Sequence, residues 1–510
     1  MTSNTENKVY NYNHVEPTEV DPLRQDETEK GEKEKLGFRE NVHRVLSNIT
    51  VEPSLLLFVS AAMLNMMSSQ NLQLEKACRV NLNFSTEICD SLRIQNVVNH
   101  NEYERETQKL LAKALTWKTY MTATLPCIFA LFVGSFSDKT GHRKIFMLIP
   151  MTGQLLMCIN NMFNVYFFYE IYLEITVFSE SLLEGLSGGW CICFLTGFAY
   201  ISAITTNKDR TFRMGLVSFC ITVAFPIGMG LSGVLLKSFG YYGVYGISMS
   251  LNVFNMLYII FVVKDPKRTR EQKKHDRQSC CHLFRTFFDI SNVKETVSVI
   301  VKDAPNNRRI RLCVLLGVVT VLFGPMYGEI SIMYLSVRYR FGWDEVKYSM
   351  FQSYNLILHS IGTTFSVLVF TKYLGWHDSL LGIVSTLSKI TASFVFCFAQ
   401  TGAAFYFGPL VEILNGTSLL SMRSIMSKLV EVDELGKLSS VVGLVENLMP
   451  LLYVPMYTRV YSATMEVLPG AVFLLGALLT LPAVAVLFWL FYEHRKQLRK
   501  LQSSDIQRKL

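Results

Sequence analysis

The stretch Gly134–Lys144 reads GSFSDKTGHRK and lies between two long apolar runs, 114–136 and 144–166. Its residue types suit a tight turn at a membrane surface. Gly134 lets helix backbones approach closely, and Gly141 accepts the angles of a sharp turn. Asp138 can close a helix end and accept from a cation. Arg143 and Lys144 carry charges that belong on the cytosolic side of a bilayer.

The rest of the chain fits that reading. It has 510 residues, a net charge of +8, 50% hydrophobic residues and only 18% charged ones. Apolar runs of roughly 20 residues recur along it, the length that crosses a bilayer core. Backbone in lipid must satisfy its own hydrogen bonds, so such runs are helices. The expected fold is an all-α polytopic membrane protein of about twelve transmembrane helices. They fall near 53–72, 114–136, 144–166, 180–204, 212–236, 241–263, 310–336, 347–371, 376–399, 402–422, 438–460 and 467–491.

Basic segments set the orientation. DKTGHRK, Asn207–Arg213, Lys264–Arg311 and the tail from Glu493 all fall on one side if the spans alternate. The positive-inside rule makes that side cytosolic. Residues 1–50 form a polar cytosolic tail with the composition of a disordered segment. Two six-helix bundles are expected, 51–263 and 310–492, joined by a basic cytosolic linker, 264–309, and followed by a basic tail, 493–510. The linker carries an amphipathic pattern at Leu283, Phe284, Phe287 and Phe288, and a Cys280–Cys281 pair open to palmitoylation or left as free thiols. The long outer loop, 73–113, holds the glycosylation sequon Asn83-Phe84-Ser85. It also holds Cys78 and Cys89. A disulfide between them and two free thiols are both compatible with the sequence.

The turn has the form G-x-x-x-D-x-x-G-x-[RK]-[RK], which resembles the signature loop of the major facilitator superfamily at Gly134, Asp138, Gly141, Arg143 and Lys144. That resemblance implies the two-bundle fold, with the loop as a gating latch. His142 departs from the basic residue common there. A narrower resemblance runs over about residues 50–490. Arg423–Leu452, NFSTEIC in the outer loop, KDRTFRMG and FDISNVKETVSVIVKDAPNNRR are similar to the proton-coupled folate transporter and thymic stromal cotransporter family. It implies a secondary transporter of folates, antifolates, muramyl peptides or related amphipathic anions, often driven by protons. Ser202 and Ser218 stand where the folate-transporting member carries acids, so coupling would have to use other residues.

Ionisable side chains inside spans are costly and are functional candidates by default. Glu329, in FGPMYGEISIMY with Tyr327, is the first candidate proton carrier. Arg423 matches the family's R-x-x-x-x-K arginine, and its planar fork suits a carboxylate ligand. Glu412 and Asn415 share a face of span ten. His359 is the one histidine deep in a span and suits proton sensing or a buried hydrogen bond. Lys389 reads as a structural ion pair with Glu412 or Glu446. Asn65, Gln70 and Glu184 are weaker cavity candidates, and EGLSGG at Glu184–Gly189 reads as close helix packing.

The function expected is proton-coupled symport of a small organic anion by a monomer in a plasma or endolysosomal membrane. The alternatives are a drug/proton antiporter and a non-transporting receptor or scaffold. No phosphate loop, nucleophile elbow or metal-ligand cluster points to an enzyme. No cofactor is expected beyond the coupling ion, a proton. No metal and no nucleic acid are expected; the partners are the substrate and the lipid bilayer.

Overall fold

Pro53 opens the first helix. Proline loses nothing in the first turn, where its missing N–H would have had no partner. α1 then runs over Glu52–Lys76 and passes into a π-helical turn, Ala77–Asn81. The computed structural model describes residues 49–94, 101–205, 207–264, 308–429 and 435–509. The N-terminal tail to residue 48 and linker residues 265–307, with the amphipathic pattern and Cys280–Cys281, lie outside the described residues.

A short outer helix, α2 (Thr86–Ile94), precedes α3 (Asn101–Thr140) and α4 (Lys144–Tyr166). The next span is broken. α5 (Leu173–Ser187) ends at Gly188, whose φ of 77° is left-handed, and α6 (Gly189–Ile204) restarts at once. α7 (Asn207–Phe261) contains a non-helical break at Gly240, with φ 66°. Glycine tolerates both left-handed positions, where a Cβ would be strained. α8 (Arg308–Phe341) and α9 (Glu345–Ser366) follow; the Asp344 side chain caps α9 by accepting from the Lys347 N–H. After α10 (Asp378–Phe398) the chain makes two short helical pieces, Gly402–Phe405 and Phe407–Val411. It turns through 412–416 into α11 (Thr417–Ser427). α12 (Leu435–Thr464) and α13 (Ala471–Lys509) complete the chain.

Among the described residues nine segments are long and apolar enough to cross a membrane, against the twelve expected of the whole chain. Leu216–Phe261 is one of the nine and spans 46 residues across the Gly240 break, too long for one crossing. α3 and the segmented 402–427 stretch are not among the nine. The expected outer loop 73–113 is also corrected. α1 reaches Lys76, and α3 begins at Asn101 rather than near 114. Hydropathy finds the bilayer core, not the polar turns that continue a helix beyond it; NEYERETQKLLAK is rich in good helix formers.

α1 and α4 pack on α7, and α3 and α4 pack on α5. After the linker, α8 packs on α12 and α13, and α10 packs on α13 and α11. The two sets meet where α7 lies on α9 and where α3 lies on α12 and α8. The α7–α9 contact is close because Gly230 and Gly233 have no side chains. A Cβ on Gly233 would come within 2.3 Å of the Ser349 Oγ.

Candidate functional site

Three charged side chains meet between α8, α10 and the turn at 412–416. The Lys389 Nζ donates to the Glu329 Oε2 at 2.5 Å and lies 3.1 Å from the Glu412 Oε1. The Asn415 Nδ2 donates to the same Glu412 oxygen at 2.9 Å. Glu329 and Lys389 are buried. Burying one charge costs far more than burying a matched, hydrogen-bonded set. Two carboxylates share one ammonium here, so the set is one negative charge in excess, which one proton neutralises.

The backbone around the set is adapted to it. The turn at 412–416 leaves carbonyls without helical partners, and α10 supplies donors: the Ser388 hydroxyl bonds the Val411 carbonyl at 2.6 Å, and the Ser385 hydroxyl bonds the Asn415 carbonyl at 2.8 Å. Interrupted helices beside buried polar groups are a recurring way to build a substrate or ion site at membrane depth. On the far side, Glu329 Oε1 and the Tyr457 hydroxyl are both buried without a hydrogen-bond partner. Gly476 makes room for them. A Cβ there would sit 2.4 Å from Glu329 Oε1 and 2.9 Å from the Tyr457 oxygen.

The expected site residues fall into groups. Glu329, Glu412, Asn415 and Lys389 converge. His359 lies within electrostatic reach of Glu412, and its ring approaches the backbone at Gly416. The Lys389–Glu446 pair is corrected: Lys389 binds Glu329 and Glu412, while both Glu446 oxygens accept from the Arg423 Nη2 at 2.8 Å. The reason is depth. Glu446 lies in the first half of α12 and Arg423 in the second half of α11, whereas Lys389 lies midway along α10. Arg423, just past the end of span ten, is 53% exposed, and Tyr327 lies within electrostatic reach of it and Glu446. Asn65 stands apart, buried between α1 and α4 with its Nδ2 donating to the Cys158 Sγ at 3.2 Å.

The signature turn is as expected in its backbone. Gly141 has a φ of 72°. The Arg143 Nη1 donates to the Ala199 carbonyl at 2.6 Å, and the Lys144 Nζ donates to the Ile260 carbonyl at 2.7 Å. Both tie the start of α4 to α6 and α7 of the same half. Gly134 and Asp138 fall in the last turns of α3, and the Asp138 side chain lies outside the described residues. In the outer segment Cys78 and Cys89 form a disulfide, with 6.1 Å between their Cα atoms. Asn83 is exposed, with a φ of 49°.

Sequence reading missed the outer closure. The Arg338 Nε donates to the Glu104 Oε1 at 2.8 Å, and both are buried. The Tyr461 hydroxyl donates to the Gln108 Oε1 at 2.8 Å. The Tyr334 hydroxyl bonds the Asn71 Oδ1 at 3.4 Å, and the Thr116 and Thr458 hydroxyls are 3.0 Å apart. Each contact joins a helix before the linker to one after it.

The fold and a buried charge set within it define a polytopic carrier, and comparison with known proteins agrees. Residues 112–454 match the family model of the Major Facilitator Superfamily. The chain belongs to that superfamily. It is 26% identical to the proton-coupled folate transporter of Rattus norvegicus, over 72% of this chain and 78% of that protein. It is 24% identical to the lysosomal proton-coupled steroid conjugate and bile acid symporter of Mus musculus, over 78% and 84%. Among solved structures, the human organic anion transporter MFSD10 matches with a TM-score of 0.58 at 15% identity, covering 86% of this chain and 97% of that one. That likeness concerns the fold. The chain is a multi-pass membrane transporter, not an enzyme.

Proposed function

We propose that the protein carries a small amphipathic organic anion together with a proton toward the cytosol, by alternating access. The observation that carries the reading is the buried set of two carboxylates on one ammonium, Glu329, Glu412 and Lys389. A proton arriving from an acidic lumen or exterior neutralises the excess charge and lets the two halves rearrange. Releasing it to the cytosol restores the charged set. Such a set biases the two conformations because its charge is solvated differently in each. Arg423, half in solvent and held by Glu446, is the cation that meets the anionic group of the substrate on its way out.

The substrate class rests on the named relatives, whose cargoes are folates, steroid conjugates and bile acids. Uptake of labelled methotrexate, a steroid sulfate and muramyl dipeptide would be compared at pH 5.5 and pH 7.4, for wild type and Glu329→Gln. Acid-stimulated uptake of at least one compound, reduced tenfold or more in the variant (about 1.4 kcal/mol), is the expected result. Uptake of any of them that is indifferent to pH and to the substitution contradicts the proposal.

A further inference from the structure

The broken span of the first half repeats the broken span of the second. Glu184-Gly185-Leu186-Ser187-Gly188 and Glu412-Ile413-Leu414-Asn415-Gly416 share the pattern Glu-x-Leu-polar-Gly. In each, the glycine closes the stretch where the helix is interrupted: α5 ends at Gly188, and the turn at 412–416 ends at Gly416. Near each, a lysine from a neighbouring helix holds a glutamate. In the second half that is Lys389, as described. In the first half it is Lys118 of α3. Its Nζ donates to the Glu180 Oε1 at 3.1 Å, and Glu184 lies within its electrostatic reach.

A second observation is independent of those charges. The Gln73 side chain of α1 is fully buried and donates to the Glu180 Oε2 at 2.5 Å. Its Oε1 is buried without a partner. An unpaired buried carbonyl oxygen beside a carboxylate is an acceptor site waiting for a proton donor. Four elements place titratable or polar groups on this centre. They are Lys118 from α3, Gln73 from α1, Cys158 from α4 and Tyr245 from α7, the last two within electrostatic reach of Glu180. Lys118 is the one cation among these groups, and Glu180 and Glu184 are the two carboxylates.

We propose that Glu180 and Glu184 with Lys118 form a second proton-binding centre, so that each half of the transporter carries one. The inference rests on the proton-coupled reading above and deepens it. The Lys118 ammonium with the Glu180 and Glu184 carboxylates leaves one negative charge in excess, and one proton neutralises it. With a centre in each half, two protons enter per cycle. The Gln73 amide holds Glu180, which leaves Glu184 as the group that exchanges.

The test is the number of protons moved per substrate in proteoliposomes loaded with a pH indicator. Methotrexate or a steroid sulfate is the cargo, whichever the wild type takes up. The expected ratio is two for wild type and for Glu184→Asp, and one for Glu184→Gln. Equal ratios for wild type and Glu184→Gln overturn the second centre and leave coupling through Glu329 standing. A wild type that moves no protons overturns the coupled reading itself. If Glu184→Gln does not reach the membrane, the wild-type protein decides. A hydrophobic carbodiimide attacks protonated carboxyls in apolar surroundings, and peptide mass spectrometry locates the adduct. Labelling of Glu184 that falls as pH rises supports the centre; no labelling at any pH between 5.5 and 8 overturns it.

Discussion

The two ends of the helices, outer and cytosolic if the basic segments set the sides, are fastened in different ways. At the outer end, polar contacts cross between the halves: Glu104 with Arg338, Gln108 with Tyr461, Asn71 with Tyr334, and Arg105 with Glu466 at 2.6 Å. At the cytosolic end, the ion pairs described stay within one half. Glu52 binds Arg213 at 2.9 Å, Arg311 binds Glu493 at 2.6 Å, and Lys428 binds Asp378 at 2.7 Å. The halves are therefore clasped outside, and Arg423 is half in solvent near the cytosolic end. Among the described residues this is the pattern expected of an inward-facing arrangement. Its clasp is made of hydrogen bonds and ion pairs, which can exchange for water when the outer side opens. An apolar seal of the same area would hold one state too firmly.

The largest effect should come from the buried part of the clasp. Arg338→Ala strands Glu104, and losing one partner of a buried pair costs about 3–5 kcal/mol. The inward-facing state should lose its advantage. A cysteine placed at Thr116 should then react with an impermeant thiol reagent from outside at least tenfold faster than in the parent. The double variant with Glu104→Ala should react more slowly than Arg338→Ala alone, because no stranded charge remains.

Next comes the outer segment. Cys78 and Cys89 are 11 residues apart, and a cross-link closing a loop of that size stabilises by about 3 kcal/mol on the chain-entropy account. Replacing both with serine should make residues 77–94 sensitive to external protease while leaving the cytosolic pairs intact. Unchanged protection would show that packing of Phe84 against Tyr103 already holds the segment.

The exposed part of the clasp should matter little. Arg105 and Glu466 are 28% and 52% exposed, and such pairs contribute about 0.2–1 kcal/mol. Arg105→Ala should change accessibility at Thr116 less than fivefold. A larger change would mean that the clasp acts as one network.

The smallest effect concerns the cytosolic end and has a definite sign. His377 caps α10 through its ring, accepting from the Ser379 N–H, and stacks on His494 at 3.7 Å. Partial burial holds its pKa below the usual 6.5, and His494 adds to that, against Asp378. The folded state thus binds fewer protons than the unfolded one. The stability this supplies is complete above about pH 6.5 and declines as pH falls through that value toward the lowered one. Melting temperature followed from pH 7.5 to 5.5 should fall less steeply in His377→Gln than in wild type.

Much of the fold was legible because membrane physics is simple. The Gly134–Lys144 turn and the basic loops set spans and sides, and charges inside apolar runs stood out. Glu329, Lys389, Glu412 and Asn415 were all visible as candidates for that reason. Their grouping was not visible, because which helix faces meet depends on packing between spans far apart in sequence. The sequence leaves Glu412 and Glu446 both open as partners of Lys389; the structure pairs it with Glu412 and Glu329, while Glu446 binds Arg423. Glu104 was lost inside a loop that is helix, and its partner lies 234 residues away. Gly476 gave no signal in an apolar run; its role is the space it leaves beside Glu329. The EGLSGG stretch was read as close packing. That holds for Gly185, where a Cβ would come within 2.9 Å of Leu125. It missed that Gly188 ends a helix.

The most direct test of coupling through Glu329, Lys389 and Glu412 is substrate-driven proton flux in purified proteoliposomes without an imposed pH gradient. A substrate gradient should drive protons into the lumen in wild type. In Glu329→Gln it should drive at most half as many protons per substrate, those of the second centre, although the substrate still binds. Proton flux of equal size in both proteins would contradict the role given to this cluster.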